Sequence, residues 1–70
     1  MSDLVRLSVN MNLETAAALR TISTANSVSY TEAVRRVVAL ASYLYEERDA
    51  GRRVLSDDGQ GNDVRELVLL

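Results

Sequence analysis

Seventy residues make one domain at most, and a chain of that size buries only about 60 % of the surface its unfolded form exposes. With no Cys and no His there are no disulfides, no thiolate or imidazole catalysis and almost none of the usual zinc or haem sites, which leaves association with a second chain as the means of completing a core. The formal charge is −2, and all eight basic residues are Arg: residues 1–36 carry four of them against three acids, residues 37–70 four against seven, and a pI near 4.9 is unlike that of a typical nucleic-acid binder.

Leu4 to Met11 alternates, with Leu7, Val9 and Met11 on one side and Arg6, Ser8 and Asn10 on the other. Side chains along a strand change face at every residue, so this pattern predicts a half-buried strand with a polar outer face. No second strand follows before the helices begin, so its ladder partner is expected from the far end of the chain or from another molecule.

Asn12 reads as a helix N-cap, with Glu14 in the first turn, where a carboxylate suits the positive end of the helix dipole. The Ala-rich run to Leu19 has high helix propensity, and the first helix is predicted at about residues 13–25, closed by Asn26-Ser27 with Asn26 as a left-handed cap. Ser29-Tyr30-Thr31-Glu32 has the form of a capping box. A second helix follows, with Tyr30, Ala33, Val34, Val37, Val38, Ala41, Leu44 and Tyr45 on one face, ending near Asp49 and before Gly51. Its β-branched Val residues weaken local preference, so it should owe its stability to packing. Tyr43 and Tyr45 are expected at a dimer interface or against the C-terminal segment.

Residues 53–56 and 64–70 look extended, around a loop dense in Asp, Gly and Asn, which predicts a C-terminal β-hairpin. The loop lacks the ligand spacing of a calcium-binding helix-loop-helix and reads as a turn. Domain organisation is thus a module over residues 1–50 and an extension over residues 51–70. No stretch nears the ~20 apolar residues of a membrane span, and Met1-Ser2-Asp3-Leu4 does not open a signal peptide. A cytoplasmic protein is expected, with no cofactor, no metal and no membrane partner. Without His, Cys or a phosphate-cradling glycine loop only carboxylates and hydroxyls remain, and short helices are expected to offer no pocket, so no enzymatic activity is expected.

One strand and two capped helices have a good physical solution as a pair of chains. The strands join antiparallel into a two-stranded ribbon, the helices interlock beneath it, and the apolar strand face seals the core. The polar face is then presented twice about a two-fold axis, and such a ribbon fits the DNA major groove.

Over about residues 4–45 the chain resembles the ribbon-helix-helix DNA-binding family, the Arc and MetJ repressor fold. The resemblance runs through Arg6-Leu7-Ser8-Val9-Asn10-Met11, Asn12-Leu13-Glu14-Thr15, Leu19, and Asn26-Ser27-Val28-Ser29-Tyr30-Thr31-Glu32-Ala33-Val34-Arg35-Arg36. Ser27 stands where the family usually carries Gly. The resemblance implies a mainly α, intertwined homodimer in which Arg6, Ser8 and Asn10 read bases. Arg can bond guanine and Asn adenine bidentately, and Ser can serve either. It also implies that the amides of Ser29, Tyr30 and Thr31 hold a backbone phosphate, with Arg35 beside them facing phosphate or water.

The expected function is therefore sequence-specific transcriptional regulation, as a repressor on double-stranded DNA. With so few positive charges, affinity per dimer should be modest, and several dimers should bind cooperatively through a free edge of the C-terminal hairpin. Two alternatives accompany this reading. One is an antitoxin whose acidic C-terminal segment covers a toxin; the other is a protein-interaction module of the same fold without DNA binding.

Overall fold

The computed structural model describes residues 4–70. It is mainly helical, with helices α1 (Leu13–Asn26) and α2 (Tyr30–Asp49) followed by strands β1 (Val54–Ser56) and β2 (Arg65–Leu67) in one small antiparallel sheet. The chain divides into two compact units, one ending at Val34 and the other running from Arg35 to Leu70, with α2 continuous across the division.

In the first unit, α1 begins where Asn12 leaves extended backbone (φ −73°, ψ 168°) and its Oδ1 accepts the Thr15 amide at 2.7 Å. That bond satisfies one of the donors that a first helical turn leaves without an intrahelical acceptor. The helix runs one residue further than the sequence predicts, and the left-handed residue is Ser27 (φ 53°) instead of Asn26. Asn26 stays helical, its Nδ2 donating to the Ile22 carbonyl at 2.8 Å. The Ser27 amide donates to Thr24 O and the Val28 amide to Ser23 O, the bond pair of a Schellman ending. Ser29 then caps α2, its Oγ accepting the Glu32 amide at 3.1 Å.

The second unit repeats this device. Gly51 (φ 77°) takes the left-handed position, while the Gly51 amide donates to Arg48 O and the Arg52 amide to Glu47 O, turning the chain out of α2. β1 and β2 pair with Val54 opposite Leu67, Leu55 opposite Glu66 and Ser56 opposite Arg65. The connecting loop is held by its own acids: Asp57 Oδ1 accepts the Gly59 amide, and Asp58 Oδ1 accepts the amides of Gln60 and Asn62. The hairpin predicted from the turn formers is present, with a ladder shorter than the extended-looking sequence. After β2, the Leu70 carbonyl accepts from Arg48 Nη1 at 3.4 Å.

Residues 4–12 carry no regular secondary structure, which departs from the strand predicted over Leu4 to Met11. Alternation belongs to a sequence, but a strand exists only where a second backbone completes its ladder. β1 and β2 use each other, and among the described residues no segment pairs with 4–11. The face expected to be half-buried is accordingly bare, with Leu7 80 % and Val9 69 % exposed.

Among the described residues Ala33 alone is buried. Leu19, Ile22 and Val28 in the first unit, and Ala41, Leu44, Val54 and Leu69 in the second, are half-covered.

Candidate nucleic-acid interface

The residues singled out for DNA fall on two local features. Arg6, Ser8 and Asn10 lie on the segment before α1, exposed and interleaved with Leu7, Val9 and Met11. The Asn12 cap ties the end of that segment to the first turn of α1, so the position of Asn10 is set two residues from a hydrogen-bonded helix start. The order Arg, Ser, Asn at alternate positions offers donors and acceptors matched to guanine and adenine edges, provided that the segment is held straight by a ladder.

The second feature is the α1–α2 corner. Ser27 turns the chain in left-handed conformation and Val28 returns to the α1 carbonyls. Ser29 Oγ is committed to the Glu32 amide and Ser29 O to the Ala33 amide at 2.9 Å. Ser29 keeps two donors for a phosphate, its main-chain amide and its hydroxyl proton, since Oγ only accepts from Glu32. The Tyr30 and Thr31 amides belong to the first turn of α2, where an α-helix supplies no carbonyl to accept them, and they sit at the positive end of its dipole. Three successive amides of this kind can hold an anion without a basic side chain. Arg35 follows on α2, one turn beyond Thr31.

Ser23 was not legible as part of this corner. Its Oγ donates to the Val28 carbonyl, a second bond alongside that of the Val28 amide to Ser23 O. A Ser near a helix end is common, and only the return of the chain onto it reveals the contact.

Charge is partitioned as well. All four Arg of residues 37–70 are engaged by carboxylates: Arg48 with Asp49, Arg52 with Glu47, Arg53 with Glu66 and Arg65 with Asp63, at 3.1–3.4 Å. These exposed pairs add little to stability, but they leave the C-terminal half acidic towards any polyanion. Arg6, Arg20, Arg35 and Arg36 are the basic residues on the N-terminal half, which carries the residues singled out for DNA.

Tyr45 carries the Arg48 guanidinium over its ring at 4.7 Å from the centroid, while Tyr43 is more than half exposed. Among the described residues no group of three or more acids is placed to hold a metal ion, and no helix is long and apolar enough to cross a membrane. Neither a protein-family model, a curated protein nor a solved structure matches the chain.

Proposed function

We propose that two copies of this chain form a ribbon-helix-helix homodimer that binds double-stranded DNA in a sequence-specific manner and represses transcription in the cytoplasm. The observation that carries the proposal is the segment Leu4 to Met11. From Val5 to Met11 it alternates over seven residues, and the segment exposes its apolar side, has no ladder partner among the described residues and runs directly into an N-capped helix. Antiparallel pairing of two such segments supplies the ladder to both. It buries Leu7, Val9 and Met11 against the helices and turns Arg6, Ser8 and Asn10 towards a major groove. The exposure of Leu7 and Val9, at 80 % and 69 %, supports a partner that covers them.

In this arrangement Arg6 and Asn10 discriminate bases, Ser8 adjusts to either, and the amides of Ser29, Tyr30 and Thr31 with Arg35 fix register on the phosphates. Because phosphate neutralisation supplies much of the affinity, a ribbon segment with one Arg and no Lys on a chain of net charge −2 makes binding by one dimer modest and favours several dimers on tandem sites.

Selection of DNA fragments by the purified protein at ~0.15 M salt tests the reading, with the Arg6→Ala/Asn10→Ala variant alongside. Enrichment of a short repeated or palindromic motif by the wild type alone supports it. A folded, dimeric protein that enriches nothing overturns it.

The acidity of residues 37–70 favours a second reading, in which the segment after Gly51 meets a basic protein, as an antitoxin meets its toxin. That reading requires a stable complex with a basic partner that is lost when residues 52–70 are removed.

A further inference from the structure

We infer that the outer edge of β1 is a self-recognition surface, built to pair antiparallel with β1 of a second copy. This goes beyond the DNA reading and does not depend on it. Among the described residues β1 and β2 pair only with each other, so each keeps one open edge. A two-stranded ladder three residues long is itself short of independent stability.

The charges around β1 determine which strand its edge accepts. Val54-Leu55-Ser56 is preceded by Arg52-Arg53 and followed by Asp57-Asp58. In an antiparallel pair related by a two-fold axis, opposite residues share a face and the axis preserves faces, so the centre must fall on a residue. Centred on Leu55, Arg53 stands opposite Asp57 of the second copy and Arg52 opposite Asp58, each pair occurring twice. Leu55, about half exposed, meets Leu55 of the second copy, and Val54 meets Ser56.

Every other register forfeits this match. Centring on Val54 or Ser56 brings no cation to an anion; centring on Arg53 or Asp57 opposes like charges, as does parallel in-register pairing. Within β2 no register brings a cation to an anion: centring on Glu66 sets two carboxylates together, on Arg65 two guanidiniums, and on Leu67 charges against apolar side chains only. The match beside it, Asp63 with Arg65 about Val64, needs Asp63, which is left-handed at φ 52°. Charged flanks ordinarily protect an edge strand from association. Here the sign reverses across the strand, so the flanks reject foreign and parallel strands and admit this chain's own copy.

The side chains involved are accessible. Arg52 and Arg53 are 72 % and 74 % exposed, and their pairs with Glu47 and Glu66, at 3.3 and 3.4 Å, leave guanidinium donors for a second carboxylate. Asp57 and Asp58 use Oδ1 on the loop amides, leaving Oδ2 for a partner. Together with a ribbon dimer, such an edge would join dimers into rows.

Sedimentation of the full chain over a range of concentrations tests the inference with Arg53→Asp and Asp57→Arg, which leave the loop bonds of Asp58 in place. Each variant alone should weaken one association step by about tenfold or more, because two attractions per interface become two repulsions. Mixing the two variants should restore that step, since the carboxylate introduced at position 53 of one copy then faces the guanidinium introduced at position 57 of the other. Combining both changes in one chain should restore it too. Helical circular dichroism equal to that of the wild type certifies the fold of each. If the ribbon dimer forms, the affected step lies beyond the dimer; if it does not, the step is dimer to monomer, so the two readings fail separately. Variants that associate as the wild type does, or a mixture that recovers nothing, overturn the inference.

Discussion

Ser23 and Val28 are bound to each other twice: the Val28 amide donates to the Ser23 carbonyl at 3.1 Å, and the Ser23 hydroxyl donates back to the Val28 carbonyl. The pair closes the α1–α2 corner around Ser27, the residue forced into left-handed backbone at φ 53°. For a side chain with a Cβ, that conformation costs about 1–2 kcal/mol.

Ser27→Gly should therefore stabilise the protein. Part of the gain is offset by the greater freedom of Gly in the unfolded chain, leaving about 0.5–1 kcal/mol. Thermal unfolding should rise by several degrees in a domain of this size. An unchanged or lower midpoint would mean that Ser27 contributes something beyond its backbone angle.

The opposite result is expected at the second turn of this kind. Gly51 has φ 77°, and a Cβ built on it would meet nothing within 4 Å. Gly51→Ala should cost about 1 kcal/mol through backbone conformation alone, with no steric clash to add to it. Denaturant midpoints that fall while the slope stays constant would identify that cause.

At the start of α2, capping and phosphate binding can be separated. Ser29→Ala removes the acceptor for the Glu32 amide and should cost about 1 kcal/mol of stability. Ser29→Asp keeps an acceptor and restores stability, yet places a carboxylate where the proposed phosphate sits. DNA affinity should then fall by about tenfold or more, with melting close to wild type. Equal DNA binding by the Asp variant would remove this helix start from the interface.

Stability should depend on protein concentration, because the single chain buries only Ala33 among its described residues. Val9→Lys, which puts a charge on the bare apolar side of the ribbon segment, should abolish that dependence and lower the helical signal. Leu13→Lys offers a contrast, since Leu13 lies outside the ribbon segment and is 90 % exposed. If both variants melt alike at every concentration, the ribbon segment is not the seam between copies.

Much of the chain was legible because its instructions are local. Asn12 and Ser29 cap the helices whose starts they mark, the periodic apolar residues run to Tyr45 in a helix that ends at Asp49 as expected, and the Asp-Gly-Asn loop turns a hairpin. The corner was legible only in outline. Asn26 and Ser27 both tolerate a cap, and the return of Val28 onto Ser23 makes Ser27 the left-handed residue. Of the site, the alternation of Arg6, Ser8 and Asn10 could be read, but among the described residues no second backbone pairs with those positions.

The sequence by itself determined where helices begin and end, because caps, propensity and turn chemistry act within about one helical turn. Tertiary structure decided the long-range pairings: Val54 with Leu67, Arg53 with Glu66, and the reservation of both hairpin strands for each other. Ladder pairing is a choice among backbones distant in sequence, governed by which edges meet and in what register. That choice left Leu4 to Met11 without a ladder partner among the described residues and left β1 with an edge whose flanking charges match its own antiparallel copy.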